Sequence, residues 1–286
     1  MYREEFTTPA DRYFNYCWWP YTPVAKVEHK FRPVNLLFQS FELAAIDSRA
    51  FEVVEALRSD LGDFRTVYGV KWMGNRLGWE FYFYDYKRRE RELSISKVLD
   101  TIRRFSSCSL EVNERLPYFM FSIDLDEDLV CGDRNLDVIH MYIGNPGSTV
   151  SSGISYDLRE AGTTLENLYY FFNAGSQLLD IEEKVCCSAH VDATKIPISE
   201  ILRPELRRCN TICIANKQHN DTAYFSGVDV GQLIFFLKWL NYPQPIIDFT
   251  EHNRAKLDHL LYDVGFDYTA KGNQLDVIKS GYYGVF

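Results

Sequence analysis

The chain has 286 residues, of which 46% are hydrophobic, so it is long enough for one large domain or two smaller ones around a substantial core. Its net charge of −9 and its pI of about 5.2 argue against a nucleic-acid-binding protein, which needs basic groups facing the phosphates. The first residues lack a signal-peptide pattern, and the longest apolar run is interrupted by Lys238. We therefore expect a soluble cytoplasmic protein that binds neither nucleic acid nor membrane.

Aromatic residues are unusually frequent in this chain. Phe, Trp and Tyr make up 15% of it, and 19 residues are tyrosines. A tyrosine ring ends in a polar hydroxyl that needs a partner, so tyrosines repeated on one strand face favour a wet or ligand-filled interior. The composition therefore predicts a lined cavity in addition to a core.

The first segment, residues 1–33, is predicted to be irregular. Prolines at positions 20 and 23 interrupt any periodic element there. We interpret this segment as an N-terminal wrap or lid. Residues 34–286 are interpreted as a single barrel domain.

Behind this segment the hydrophobic pattern alternates between strand-like and helix-like periods. In chain order the predicted elements are a mostly helical stretch 36–61, strands 66–72 and 78–86, a helix 95–105, strands 118–125 and 136–143, a helix 164–172, strands 183–191, 210–216 and 222–226, helices 230–240 and 253–262, and a final strand 275–286. This is a loose strand-strand-helix repeat. Such an order fits either an open sheet backed by helices or a closed barrel with helices outside.

Several predicted strands have one apolar and one polar face. In residues 79–86, apolar side chains alternate with Glu80, Tyr82 and Tyr84, and residues 183–191 alternate in the same way. If helices cover the apolar faces, the other faces point to solvent or to a lumen, and so many tyrosines would be unusual on an open surface. We therefore expect an α+β fold, a closed antiparallel β-barrel ringed by α-helices.

The last predicted strand carries Lys279, Gly281 and Tyr283 on one face. This face offers a cation, then open space, then an aromatic ring. It could hold an anionic group beside a carbocation-like or apolar one, because ammonium groups bind phosphate and aromatic faces attract positive charge. The alternative is an edge strand that its lysine protects from pairing.

The strand and helix order, the tyrosines and the ending "IKSGYYGVF" resemble the ABBA-type aromatic prenyltransferases, whose antiparallel barrel is ringed by helices. The closer likeness is to the cyanobactin peptide prenyltransferases, through "FSIDLDEDLVCGDRNLDVIHMYIG" and "NTICIANKQHNDTAYFSGVDVGQLIFFLKWL". The resemblance covers residues 64–286. It implies an allylic diphosphate donor, such as dimethylallyl diphosphate, in the lumen. It also implies an acceptor that is a peptide side chain or another aromatic molecule.

Such chemistry needs cations for the leaving pyrophosphate and electron-rich rings around the allyl cation. By the resemblance, Lys279 matches the basic position of the family's last strand and Tyr283 the tyrosine that follows. The other expected diphosphate ligands are Lys71, His140 and Lys217, although either of these lysines could equally be a solvated strand-end residue. The candidates for the cation shield or acceptor pocket, for which barrel filling is the alternative, are Tyr82, Tyr84, Tyr142, Tyr224 and Tyr283.

Glu80 is the predicted general base. It lies on the lumen face of an otherwise aromatic strand, where burial would raise its proton affinity. The peptide enzymes tend to carry a basic residue on the corresponding strand, so Glu80 departs from the family's pattern. The alternative is an ion pair with Lys71 or Arg76 across the hairpin.

No metal-ligand set is predicted from the residues. Asp124, Asp126 and Asp128 lack the remaining ligands of an EF-hand, and we interpret them as a solvated acidic turn. The chain has no DDxxD motif, which argues against an all-helical isoprenoid synthase, although magnesium could accompany the diphosphate. Because neither GxGxxG nor a Walker motif is present, no nucleotide cofactor is expected.

A different class of protein would produce much the same pattern. A barrel that binds an apolar or aromatic ligand without turning it over would also have an aromatic lumen, as would a prenyltransferase relative that has lost catalysis. The two readings differ in whether Lys71, Lys217 and Lys279 converge inside the barrel.

Overall fold

A computed structural model of the chain describes residues 3–87, 90–145 and 151–286. The helices in these ranges are α1 (Val34–Ala44), α2 (Arg49–Leu61), α3 (Ile95–Ile102), α4 (Glu127–Cys131), α5 (Leu178–Cys186), α6 (Ile198–Ile201), α7 (Val230–Trp239), α8 (Gln244–His252) and α9 (Arg254–Leu257). The strands are β1 (Thr66–Trp72), β2 (Leu77–Tyr84), β3 (Met120–Leu125), β4 (Ile139–Asn145), β5 (Ser151–Arg159), β6 (Gly162–Asn173), β7 (Thr211–Lys217), β8 (Asp221–Val228), β9 (Tyr262–Lys271) and β10 (Gln274–Val285).

The ten strands form one closed antiparallel barrel. Its strand order is β1-β10-β9-β8-β7-β6-β5-β4-β3-β2, and β2 pairs with β1 to close the ring. The predicted α+β architecture with a closed antiparallel β-barrel is therefore confirmed. Because β10 pairs with both β1 and β9, the alternative of an unpaired edge strand at the C-terminus is wrong.

The outer face of the barrel carries the larger hydrophobic core. On β2 this face presents Trp79, Phe81 and Phe83, all of them buried. Trp79 packs edge-on against Phe41 of α1 with ring centroids 5.2 Å apart, and its indole N–H donates to the Ser40 hydroxyl at 2.8 Å. Burying apolar area contributes roughly 25 cal/mol per Å². Because the apolar face of a strand such as β2 is stabilised by burial against helices, the helices lie outside the barrel. The other face of the strand then points to the lumen.

The lumen contains a second, smaller aromatic cluster. Its rings need room at the barrel wall, and glycines provide it. A Cβ atom at Gly265 would lie 2.3 Å from Cδ1 of Tyr224, and one at Gly69 would lie 2.7 Å from Cε1 of Tyr283. The missing side chains let both rings lie against the neighbouring strands. The buried members of this cluster are Phe64, Val67, Tyr82, Tyr84, Met120, Tyr142, Tyr283 and Val285.

Among the described helices, α3, α4 and α7 begin at a side chain that caps them. Asp229 accepts the backbone N–H of Gln232 at 2.9 Å, and the Gln232 side chain accepts the N–H of Asp229 at 3.0 Å, which is a capping box. The helix predicted over residues 230–240 is accordingly present as α7. Ser94 caps α3 by accepting the N–H of Lys97 at 3.1 Å.

Two predicted elements are wrong and two strands were missed. Residues 164–172, predicted as a helix, lie in β6, and residues 183–191, predicted as a strand, lie in α5 and the turns after it. Apolar residues in β6 fall at helical spacing, but Leu165 is 59% exposed, so this spacing does not mark a core-facing helix side. Short apolar runs fit both periods, and the tertiary context decides between them. The missed strands are β5 and β9.

The N-terminal segment contributes no named helix or strand between residues 3 and 33, only turns and isolated bridges such as Phe14 with Pro20. One of its turns enters the barrel and is described with the lumen below. Among the helices of the described ranges, none is both long and apolar enough to cross a membrane.

Candidate functional site

The lumen is divided into two adjoining chambers. The polar chamber lies where β1 ends and β2 begins, and the apolar chamber lies at the opposite end of the same strands. They enclose about 590 Å³ and 1040 Å³ of space, part of it open to solvent. The charged side chains of the polar chamber are Lys71, Glu80, Asp124, His140, Glu166, Lys217, Asp267 and Lys279.

The predicted site residues come together in the polar chamber with one exception. Lys71, Lys217 and Lys279 converge there from three strands, with His140 and Glu80 on two others. Tyr84 instead lines the apolar chamber. The remaining predicted tyrosines, all of which border the polar chamber, are Tyr82, Tyr142, Tyr224 and Tyr283.

Glu80 is held by three partners. It pairs with Lys71 across the β1–β2 hairpin, accepts a hydrogen bond from the Tyr82 hydroxyl at 2.6 Å, and accepts another from the Ser122 hydroxyl. Lys71 also lies 3.2 Å from Asp124. Burial lowers the pKa of Lys71, but the charges of Glu80 and Asp124 outweigh burial and raise that pKa well above its usual value. Glu80 therefore faces the lumen as predicted, and the predicted ion pair with Lys71 is present as well.

Lys217 and Lys279 share a single carboxylate. The Lys217 ammonium lies 2.9 Å from Oδ2 of Asp267, and the Lys279 ammonium lies 3.6 Å from the same oxygen. Burial and the charge of Lys279 lower the pKa of Lys217 even though Asp267 opposes them. Two cations thus compete for one anion. An additional anion would be stabilised at this position.

His140 sits among three carboxylates. Its Nδ1 lies 2.7 Å from Asp157 and 3.5 Å from Glu166, and its Nε2 lies 3.4 Å from Asp124. Burial lowers the pKa of His140, but hydrogen bonds to these carboxylates raise it well above its usual value. The imidazole is therefore charged at neutral pH and adds a cation to the polar chamber.

Apart from Glu80, the acidic side chains of this chamber were not predicted as site residues. Asp124 lies within β3 and not in a solvated turn, and Asp126 accepts the N–H of Leu129 at 2.9 Å as the cap of α4. The alternating pattern of β3 indicates that Asp124 faces the lumen, because it lies on the same strand face as Ser122. Glu166 and Asp267 lie in β6 and β9, which the sequence reading did not assign as strands, so neither could be given a face.

Tyrosine rings line both chambers: Tyr142 and Tyr169 border the two of them, and Tyr82 and Tyr283 border the polar chamber. The Tyr82 and Tyr283 rings meet edge-on with centroids 5.9 Å apart, and the Tyr142 and Tyr169 rings are also 5.9 Å apart. Burial raises the pKa of all four phenols, so they are neutral across the physiological range. Tyr169 was not predicted, because β6 was interpreted as a helix.

A turn of the N-terminal segment, residues 14–20, inserts Tyr16 between the two chambers. We call it the N-terminal loop. The Tyr16 ring lies 4.6 Å from the Tyr283 ring and 5.1 Å from the Tyr82 ring, centroid to centroid, and it lines both chambers. Its backbone is held as well, since its N–H donates to Asp263 at 2.5 Å and its carbonyl accepts from the Tyr84 hydroxyl. The segment interpreted as a wrap or lid therefore supplies part of the lumen itself.

Among the described residues that line the apolar chamber, Asp263 on β9 is the acidic one. It is buried, and burial raises its pKa to about 6, although the Ser226 hydroxyl and the amides of Tyr16 and Gly227 oppose this effect. Its Oδ1 atom has no hydrogen-bond partner among the described residues. Asp263 was not predicted as a site residue, because β9 was not predicted as a strand.

Two groups of side chains in the described ranges could hold a metal ion. They are Glu80 with Asp124 and His140, and His140 with Asp157 and Glu166, and within each group the ligand atoms lie within 4.8 Å of one another. Since His140 is protonated and Glu80 is ion-paired, a metal would first have to displace a proton or a lysine. Carboxylate oxygens would be the accessible ligands.

No protein-family model matches this sequence, and no curated protein is significantly similar to it. The resemblance to the ABBA-type prenyltransferases therefore rests on the order of elements and on the residues quoted above. A functional assignment has to come from the chemistry of the lumen.

Proposed function

We propose that the protein is a prenyltransferase of the ABBA type, which moves an allylic group from its diphosphate onto a peptide side chain or another aromatic acceptor. The main support is the convergence of Lys71, Lys217 and Lys279 in one chamber beside tyrosine faces. Ionising an allylic diphosphate requires cations for the leaving group and electron-rich rings for the allyl cation, and it requires them side by side.

The donor's diphosphate would bind beside Lys217 and Lys279. These two ammonium groups share the Asp267 carboxylate, so an incoming phosphate would give them a second anionic partner. A charge-assisted hydrogen bond to phosphate is worth about 1.5 to 3 kcal/mol. The position of these lysines therefore favours a donor site at this end of the lumen.

The charge balance of the polar chamber calls for an accompanying cation. With His140 protonated, the lysines and the imidazole match the carboxylates that line the chamber in number. A bare diphosphate would make this chamber strongly negative. Magnesium prefers carboxylate and phosphate oxygens, and Asp124 in one candidate group or Glu166 in the other would supply the carboxylate oxygen. When bound, it would neutralise charge on the diphosphate, and the lysines would orient the donor.

In the proposed reaction, the bond between the allylic carbon and the diphosphate oxygen breaks, and its electron pair leaves with the diphosphate. The faces of Tyr82 and Tyr283 shield the allyl cation from water. A nucleophilic atom of the acceptor then forms the new bond to carbon. Its proton passes to Glu80, either directly or through the Tyr82 hydroxyl that donates to Glu80.

A transfer assay tests this function directly. The protein is incubated with dimethylallyl diphosphate, magnesium and a panel of aromatic peptides and small aromatic molecules, and products are detected by their mass shift. Donor affinity is measured separately by calorimetry for Lys279→Ala, which we expect to weaken binding about 10- to 100-fold through the lost phosphate contact. The exposed Lys271, at the β9–β10 turn, gives the control Lys271→Ala. Unchanged donor affinity in Lys279→Ala would contradict the proposed donor site.

A barrel that binds its ligand without turnover is the second candidate. One observation favours it: in the described part of the polar chamber, Lys71, Lys217 and Lys279 are already ion-paired with carboxylates. A ligand must therefore compete with carboxylates of the protein. Tight binding of an aromatic ligand, with no product from any allylic diphosphate in the same assay, would support this function instead.

A further inference from the structure

We propose that the apolar chamber is a separate binding site for hydrophobic amines, in which the ligand's ammonium group pairs with Asp263 and aromatic side chains enclose its apolar body. This site lies at the opposite end of the lumen from the proposed donor site. The inference therefore does not rest on prenyl transfer, and it can be tested without any diphosphate.

The first observation is a buried carboxylate that lacks a cation. Asp263 is 5% exposed, and among the described residues that line the apolar chamber it is the only charged one. Its Oδ2 atom accepts the N–H of Tyr16 at 2.5 Å, whereas Oδ1 has no hydrogen-bond partner in the described part of the chain. Burying a carboxylate without a cation is costly, so a ligand that brings the cation is favoured.

The second observation is that the titratable neighbours of Asp263 are neutral. Cys17 of the N-terminal loop and Cys209, just before β7, are thiols whose pKa burial raises to about 12. Burial also raises the pKa of the Tyr21 and Tyr84 phenols above their usual value. None of these groups provides a positive charge between pH 5 and pH 8. Asp263 is therefore the only one of these groups expected to change charge in that interval.

The third observation is the chemistry of the walls. Aromatic faces attract cations, and they also cover the apolar body of an aryl or alkyl amine. An anionic ligand would be repelled by Asp263, which excludes the diphosphate class from this chamber. The aromatic side chains that line it include Tyr16, Tyr84, Phe119, Tyr169, Phe171 and Tyr224.

The test compares an amine with an alcohol of nearly the same shape. Tryptamine and tryptophol are titrated into the unaltered protein by calorimetry, with neither diphosphate nor magnesium present. We expect tryptamine to bind about 10- to 100-fold more tightly, because it forms a charge-assisted hydrogen bond that the alcohol cannot form. Equal affinity for the two compounds, or no binding of either, would overturn the proposal.

The pH dependence of the same measurement is specific to Asp263. Protonation of this carboxylate removes the ligand's partner, so tryptamine affinity should fall about tenfold between pH 7.5 and pH 5. Tryptophol affinity should stay constant over this interval. If the tryptamine affinity did not change with pH, an acid with a lower pKa would be the partner, and the assignment to Asp263 would be wrong.

Substitution then locates the ligand. In Asp263→Asn the preference for tryptamine over tryptophol should disappear, whereas it should persist in Asp276→Asn, which changes an exposed aspartate on β10. A preference that survives in Asp263→Asn would place the ammonium group elsewhere, for example near Asp124, and would reject the site. The comparison of the two ligands in the unaltered protein decides the proposal even if this variant does not fold.

Discussion

Two aspartates on one strand have pKa values shifted in opposite directions at the two ends of the lumen. Asp263 and Asp267 both lie on β9, face the lumen and are 5% exposed. Burial raises the pKa of Asp263 to about 6. Burial acts on Asp267 too, but the charges of Lys217 and Lys279 outweigh it and lower the pKa of Asp267. The cations nearby, and not the depth of burial, set the protonation of each carboxylate.

One barrel therefore contains two kinds of chamber. In the polar chamber, opposite charges already lie next to each other, so a ligand must compete with the ion pairs of the protein. In the apolar chamber, Asp263 is the only charged side chain among the described lining residues. Tyr16, Tyr142, Tyr169 and Tyr224 border both chambers, whereas the charged side chains are concentrated at the polar end.

The largest expected effect concerns the carboxylate of the proposed transfer step. Glu80→Gln keeps the shape of the side chain and removes its basicity, so turnover should fall by roughly two to four powers of ten while donor binding is retained. The measurement is product formation with dimethylallyl diphosphate and an accepted acceptor. Glu160→Gln, at the exposed turn between β5 and β6, is the control. Full turnover in Glu80→Gln would remove Glu80 as the base.

The next effect tests whether the ion pairs of the polar chamber stabilise the fold. Lys71→Met leaves the buried Glu80 carboxylate without its cation, so the free energy of unfolding should fall by about 3 kcal/mol in urea titrations. Lys87→Met removes an exposed lysine instead and should change that free energy by less than about 0.5 kcal/mol. Equal stability of the two variants would mean that Glu80 is not stabilised by Lys71.

The smallest expected effect is a gain in the free energy of unfolding, and it concerns Asp263 in the apolar chamber. The pKa of Asp263 is higher in the folded than in the unfolded chain, so its contribution to stability is full at low pH and is lost as the pH rises through 6. Asp263→Asn should therefore stabilise the protein by about 1 to 2 kcal/mol at pH 8 and by less at pH 5. Urea titrations at the two pH values measure the difference. A variant that is less stable than the unaltered protein at pH 8 would contradict this account.

Site residues could be predicted from the sequence in those segments that were recognised as strands from their alternating pattern. On β2 the alternation places Glu80 and Tyr82 in the lumen, and both lie there. The strand β9 alternates too, with Val264 and Phe266 opposite Asp263 and Asp267. Because aspartate and glycine are depleted in strands, the segment was not predicted as a strand, and this alternation was not used to assign a face to either aspartate. The position of Tyr16 is a tertiary effect, because no local pattern specifies that a loop enters a barrel.

The Tyr16 ring has a further consequence for the size of ligands. It is tethered to the barrel by its own chain, so it competes as an intramolecular group with any molecule that spans both chambers. Short ligands that fill one end avoid this competition. Longer ones must first displace the ring, and their measured affinity will underestimate their intrinsic affinity. In a series of ligands of increasing length, affinity should therefore rise until the ligand reaches Tyr16 and then fall. It should rise again only when the added contacts exceed the cost of moving the ring.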